Sequence, residues 1–386
     1  MSQVNFEITV DLTAPTAPDI NLLTVNIVTT DIVEITSATA FGVTGDSVRL
    51  INSRTGEQVV AVVDADGSIT ARIGALASDE LIVITIDSAG NESPPRFIDV
   101  SPADPVLSLD IRSHQSGGIV TSRQIMVMGT YTGPANTGIT VNGVHAVTVG
   151  NWYYSNNVRL NEGDNTINVV ATTVEGESVS SQISVSYEPQ AVEFVTQTSV
   201  GIAPFTTSFS LENDETDPDI SVFWCDVDAG TSDISDNLTG KCSGDVTYDE
   251  PGIYVAIAKV DLVEDVSRVG LAPQYIPKII VVLDPASVDG KLRNVYYQFL
   301  KSMKSGDLTS IMNLISPLRQ DKYQPTFEAL SPYLSAIADE YGQITGGIFN
   351  LEIADYNLKR IENGIPMGYS IQFSIGADGV WRIDSM

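Results

Sequence analysis

VRLINSRTGEQVVAVVDADGSITARIGALASDELIVITIDSAGNESPP, residues 48–95, decides the fold. VRLINS (48–53), QVVAVVDADGSITARI (58–73) and LIVITI (81–86) are short alternating apolar and polar runs. Turn signals separate them at roughly ten-residue intervals, the spacing of a small all-β domain. Period-two alternation sends successive side chains to opposite faces of a strand. Arg54-Thr55-Gly56 and Asp66-Gly67 supply turn chemistry, because Gly adopts positive φ at no steric cost. The pattern predicts an antiparallel β-sandwich over residues 13–100.

Upstream, Val4, Phe6, Ile8 and Val10 alternate with polar residues and run into DLTAPTAPDI (11–20), a proline-rich linker. A lone strand before a linker has no partner, so residues 1–12 read as the terminal strand of a preceding or partner domain. Downstream, residues 101–189 repeat the strand-and-turn theme, with Asn142-Gly143 at a hairpin turn. Residues 190–283 give a third sandwich, in which Trp224 is expected in the core and Pro251-Gly252 at a turn before the strand carrying Tyr254.

The period then changes. Leu292, Val295, Tyr296, Phe299, Leu300 and Met303 fall at helical spacing, and Ser305-Gly306-Asp307 stops that helix. Asp307 caps a second helix, and Pro325 is expected to open a third through about Tyr341. Strands follow at 347–361, 365–375 and 380–385, joined at Asn363-Gly364 and at 376–379. Residues 284–386 therefore read as α+β. The fold class is mainly β: tandem immunoglobulin-like antiparallel β-sandwiches with a C-terminal α+β domain. Proline-containing joints at 13–18, 94–105 and 273–285 imply an elongated molecule.

Charge narrows the partners. The chain carries 49 acidic and 20 basic residues, net −29, and its first lysine is Lys241. So negative a surface disfavours nucleic acid and anionic lipid. The longest aliphatic run, IIVVL at 279–283, is strand-sized, so direct membrane insertion is not expected. MSQVNFEITV has neither the basic start nor the apolar stretch of a signal peptide, so an export signal would lie upstream of it.

Several segments resemble known families. The DLTAPTAP linker, the DADGS hairpin and IDSAGNES are similar to the bacterial immunoglobulin-like repeats of large surface adhesins. ITVNGV and LNEGDNTINVVA resemble sandwich modules appended to glucan-degrading enzymes. VGIAPFTTSFSL, VFWCDVDAGTS and VTYDEPGIYVAIAKV look like a polycystic-kidney-disease (PKD) type sandwich. It departs from that family at Asp226-Val227-Asp228-Ala229-Gly230, where a Gly-Asp-Gly turn is usual. FLKSMKSGDLTSIMNLISP and the terminal GVWRIDSM resemble the ketosteroid-isomerase-like or SnoaL-like cone fold, at those ends of the domain.

The chemistry-bearing residues are sparse. His114 and His145 are isolated, and the C-terminal domain has no histidine. Asp339, Glu340, Glu352 and Asp355 form no constellation, the first two reading as a helix's solvated end. A phosphate loop, an HExxH motif and cysteines at zinc spacing are all missing, so catalysis is not expected. Calcium wants about six to eight oxygen ligands. By the adhesin resemblance, Asp11, Asp87 and Asn91 occupy positions that bind ions at joints, while Asp64 and Asp66 bind an ion or simply form a turn. Cys225 and Cys242 either close a disulfide or pack as buried thiols. Trp152, Tyr153 and Tyr154 either stack on a carbohydrate or fill a core, since a strand divides them between two faces.

The sequence thus implies an extracellular, cell-surface or secreted stalk or adhesion segment of a bacterial surface protein, presenting its C-terminal module. Its partners would be a surface glycan, a protein receptor or neighbouring domains of a larger chain. Two alternatives are a carbohydrate-binding accessory region of a polysaccharide-degrading enzyme and a filament subunit assembled by N-terminal strand addition.

Overall fold

Alternation in residues 23–99 resolves into two facing sheets, seen in a computed structural model that describes residues 11, 13–101, 106–213, 220–233, 237–264, 269–270, 273–362 and 365–386. The expected strand at 4–10 and the Asn363-Gly364 turn lie outside the described residues. One sheet orders Leu23–Ile27, Ile32–Ser37 and Thr70–Gly74; the other orders Gln58–Val62, Ser47–Asn52, Glu80–Ile86 and Arg96–Asp99. Val33, Ile35, Leu50, Ile73 and Val83 point between them and are buried. Gly67 sits at φ 80° in the turn between Gln58–Val62 and Thr70–Gly74.

The second unit is a sheet of eight strands that bends until Ser108–Ile111 packs against Ser178–Tyr187, with a separate two-stranded pair, Gln124–Ile125 and Val158–Arg159. Its pairs are antiparallel except Gly118–Val120, which runs parallel to Ser178–Tyr187. Asn142 (φ 47°) and Gly143 (φ 80°) make a two-residue hairpin turn with positive φ at both positions. The third unit faces Val192–Thr196, Phe205–Asn213 and Ser243–Tyr248 against a sheet led by Gln274–Leu283 and Gly252–Glu264. Phe194 and Phe209 stack in its core at 5.2 Å, beside Tyr248. Trp224 does not fill that core. Its neighbours Cys225 and Val227 take the inward positions. Alternation therefore turns Trp224 outward, where the Lys259 ammonium lies 5.2 Å from its ring centroid.

Helices α1 (Pro285–Ser305), α2 (Leu308–Asn313), α3 (Gln320–Leu330) and α4 (Leu334–Glu340) then precede a four-stranded antiparallel sheet. Asp284 caps α1 by accepting from the Ala286 N–H, and Gly306 ends it in the left-handed region at φ 72°. Asp307 caps α2 through the Ser310 N–H. Pro325 does not open a helix. It lies inside α3, which starts five residues earlier at Gln320. The sheet has four strands, Tyr341–Phe349, Ile353–Glu362, Ile365–Ile375 and Trp381–Ser385, not three. The expected strand 347–361 is two strands separated by the Asn350 turn, whose side chain accepts from the Glu352 and Ile353 N–H groups.

The expected end-to-end elongation is also corrected. Helix α1 lies at a junction of all the units, in one core that joins Ile51, Ile82 and Ile84 of the first sandwich to Tyr154 of the second and Val281 of the third. Strand Glu80–Ile86 is buried on both faces, which is how an antiparallel sheet reads once a second layer covers it. Two backbone contacts fix the fit. A Cβ on Gly290 of α1 would stand 2.1 Å from the Gly56 carbonyl oxygen, and one on Gly138 would stand 2.4 Å from the Asp378 carbonyl oxygen. Only glycine allows either approach.

Candidate functional site

The junction is held by polar groups as well as packing. Arg54 donates Nε and Nη2 to Asp79 at 2.6 and 2.9 Å, and Nη1 to the Gly150 carbonyl of the second unit at 2.8 Å. Both side chains are nearly free of water contact, so the pair depends on the extra donor from Asn52, 2.8 Å from Asp79. Glu92 accepts from Arg49 at 2.5 Å and faces Arg293 of α1 at 3.7 Å. Arg293 also binds Asp289 at 2.7 Å, and Asp289 accepts from the Tyr356 hydroxyl at 2.8 Å. Burial, reinforced by Asp289, holds the Tyr356 phenol well above its ordinary range. Lys291 reaches the second unit, donating to the Thr148 carbonyl (2.9 Å) and hydroxyl (2.7 Å). Desolvation, aided by the Arg54 charge, pushes its amine down to about 8. Asn136 pairs with the Trp381 backbone through both amide atoms, at 2.8 and 3.0 Å.

Beside this junction opens a cleft of about 750 Å³. One wall is Glu92–Phe97 of the first sandwich; the other is the rim of the C-terminal domain, from α1, α4 and strands Tyr341–Phe349 and Ile353–Glu362. Inside that domain, Tyr296 and Phe299 of α1 are buried with Tyr356 and Phe373 of the sheet. The cleft is basic: Arg96, Lys301, Lys304, Lys359 and Arg360 line it. Its acidic residues are each engaged, Glu92 as above, Asp339 with Lys304 at 2.9 Å and Glu340 with Arg360 at 2.6 Å. Lys301 sits over the Phe97 ring at 4.3 Å and Arg360 over Tyr341 at 5.7 Å. Sequence reading passed over these cations because they come from three elements far apart in the chain, Arg96–Asp99, α1 and Ile353–Glu362, and share no local signal.

The residues singled out in the sequence fall elsewhere. Asp87 and Asn91 form one turn: Asp87 accepts from the Ala89 and Asn91 N–H groups, and the Asn91 amide donates to Asp87 Oδ2 (2.9 Å) and to the Asp11 carbonyl (3.1 Å). Those donors hold the Asp87 carboxyl below the usual range, the Asn91 side chain most of all. Asp64 and Asp66 lie on a different turn, where Asp66 accepts from the Ser68 N–H and hydroxyl at 3.0 and 2.7 Å. Among the described residues no three His, Cys, Asp or Glu side chains converge as a metal cluster. Cys225 and Cys242 are joined in a disulfide.

The three-residue aromatic platform is corrected. Tyr153 lies in the core of the second unit, Tyr154 is buried in the shared core, and Trp152 alone keeps 37% of its surface exposed. The pleat explains Tyr153, and the packing layer around α1 explains Tyr154. His114 Nε2 donates to the Met126 carbonyl at 3.1 Å, its pKa lowered by burial; His145 lies on strand Val144–Val149. Glu352 sits in the Asn350 turn, and Asp355 accepts from Ser370 at 2.8 Å. No described helix is long and apolar enough to cross a membrane.

No protein-family model and no curated protein match the chain. Solved structures similar to it include a tetra-tandem repeat from the extending region of a large adhesion protein, 16% identical, covering 68% of this chain and 73% of that one at a TM-score of 0.21. A Ca2+-stabilized adhesin with which an Antarctic bacterium binds ice is 14% identical, covering 97% and 91% at a TM-score of 0.16. Latent PorU from Porphyromonas gingivalis is 11% identical at a TM-score of 0.26; the match covers 66% of this chain but only 32% of PorU.

Proposed function

We propose that this chain is an extracellular, non-enzymatic adhesion segment of a bacterial surface protein. In this reading it is a rigid display unit: the C-terminal domain is a keystone that sets the three sandwiches at fixed angles, and not a protruding tip. The observation that supports the reading is α1, whose buried residues share one core with all three sandwiches. Linked domains with small interfaces move freely, whereas a large apolar interface holds them as one body. The partner would be a surface glycan or protein receptor, met by the cleft beside the keystone.

Calcium belongs to this proposal at the Asp87–Asn91 turn, where the Asp11 carbonyl also points. The fit is incomplete. Donor N–H groups already occupy the Asp87 oxygens, so the Asn91 amide must turn over to offer its oxygen to an ion.

The test pairs spin labels on the first and third sandwiches and measures their distance distribution by double electron–electron resonance, with calcium and with chelator. It is run beside retention, under flow, of beads carrying the chain on glycan- and protein-coated surfaces. One narrow distance together with retention on a defined coating is expected. Broad distances would remove the keystone, and failure to adhere to any coating would remove the adhesion role.

A further inference from the structure

We infer that the cleft between the first sandwich and the C-terminal domain binds acidic sugars, with a carboxylate- or sulfate-bearing glycan as its ligand class. This deepens the display reading by naming what the displayed surface recognises.

The argument begins with charge. A chain of net −29 has 20 basic side chains to place, and five of them line this one cleft. Each acidic neighbour is already taken by an arginine or lysine, as described above. Arg96 and Lys359 stand apart: both are exposed, one on each wall, and neither is in an ion pair among the described residues. Two cations outside any ion pair among the described residues, on different walls of one cavity, offer a site for an anion. The surrounding negative protein excludes polyanions elsewhere and so concentrates their binding here.

The lining between the cations decides what carries the anion. Phe97, Tyr297, Leu300 and Met367 give the cleft an apolar surface. Cations already seated over Phe97 and Tyr341 hold those rings in place. A pyranose uronic acid or sulfated sugar has both parts, a C–H face for apolar contact and a charged group for the cations. The volume, about 750 Å³, lies within the range of small-molecule and oligosaccharide-sized sites. An acidic peptide suits the cleft less well. The wall's centre is Pro94-Pro95, which has no N–H to offer a peptide backbone, so strand addition fails there.

Isothermal titration calorimetry of the full chain with oligogalacturonate tests the assignment, with its methyl-esterified form and oligoglutamate as controls. Binding of the free acid that weakens with salt is expected, with little binding of the ester. Arg96→Ala and Lys359→Ala should each weaken it about tenfold or more, the loss of one charge-assisted contact, while the circular dichroism spectrum stays unchanged. Equal binding of the ester, tighter binding of oligoglutamate, unchanged affinity in both variants, or no binding of either acid would overturn the inference. Should the sugar bind while chain-coated beads fail to adhere, the cleft stands and the display role falls.

Discussion

Lys291 shows how a single side chain reports on the junction. Its ammonium is drawn from water between α1 and the hairpin carrying Thr148, close to the Arg54 charge, so its folded pKa falls from 10.5 to about 8. In the unfolded chain it keeps the ordinary value. Between these two pH values the unfolded state binds more protons, so stability attributable to this group rises with pH across that window. Below pH 8 both states are protonated and the penalty is present in full. Denaturant midpoints of the protein and of Lys291→Met, compared from pH 7 to 10, should therefore converge or cross in favour of the lysine form as pH rises. Parallel curves would mean that the amine is solvated. Nothing in KLRNVYYQFL marks this lysine from any other, because its environment is made by residues 143 positions away.

At the scale of elements, the contact of α1 with the turn at Gly56 carries a prediction of unusual sign. Gly290→Ala in a helix ordinarily gains up to about 1 kcal/mol. Here the added methyl would overlap the Gly56 carbonyl, so a loss of about 1–3 kcal/mol is expected in chemical denaturation, as for other overpacked cores. A gain in stability would show that helix and turn are not in contact. The strands of the first sandwich were legible because turn chemistry and alternation agree, as at Asp64–Ser68. ELIVITI carried a further message that went unread: its unbroken apolar run Leu81–Ile84, in an antiparallel sheet, calls for a cover on each face. Strand Tyr341–Phe349 was missed for another reason. Register shifts after Tyr341 and after Thr345 break its alternation, and the two glycines at 346 and 347 remove side chains that would have signalled it. Pro325 misled because its ring suits a helix's first turn, whereas the caps that begin α3 are weak: Arg319 makes no side-chain cap.

At the scale of the whole molecule, composition and motifs gave the class of fold but not the arrangement of its parts. Prolines at the joints argue for extension; the side chains that oppose it, such as Asn294 donating to the Ser53 carbonyl at 3.1 Å, lie 241 residues from their partners. The cleft was illegible for the same reason, since its two walls have no sequence relation. A chain ending at residue 283 tests the arrangement. It lacks α1, so Ile51, Ile82 and Ile84 would face water as a contiguous apolar patch. Light scattering should show it self-associating, and it should bind a hydrophobic dye that the full chain excludes. A monodisperse, dye-silent 1–283 chain would mean that the sandwiches need no keystone.

That patch has a consequence in time. Domains of a nascent chain generally fold as units, starting from the N-terminus as each one leaves the ribosome or an export channel. The first sandwich can complete its own core from residues 23–99, yet its Ile51, Ile82 and Ile84 face stays uncovered until α1, some two hundred residues later, has emerged. Throughout that interval the molecule carries a sticky, half-dressed surface. Whatever accompanies it during delivery, a holding chaperone or the confinement of the channel itself, must shield that face until the last quarter of the chain arrives to close it.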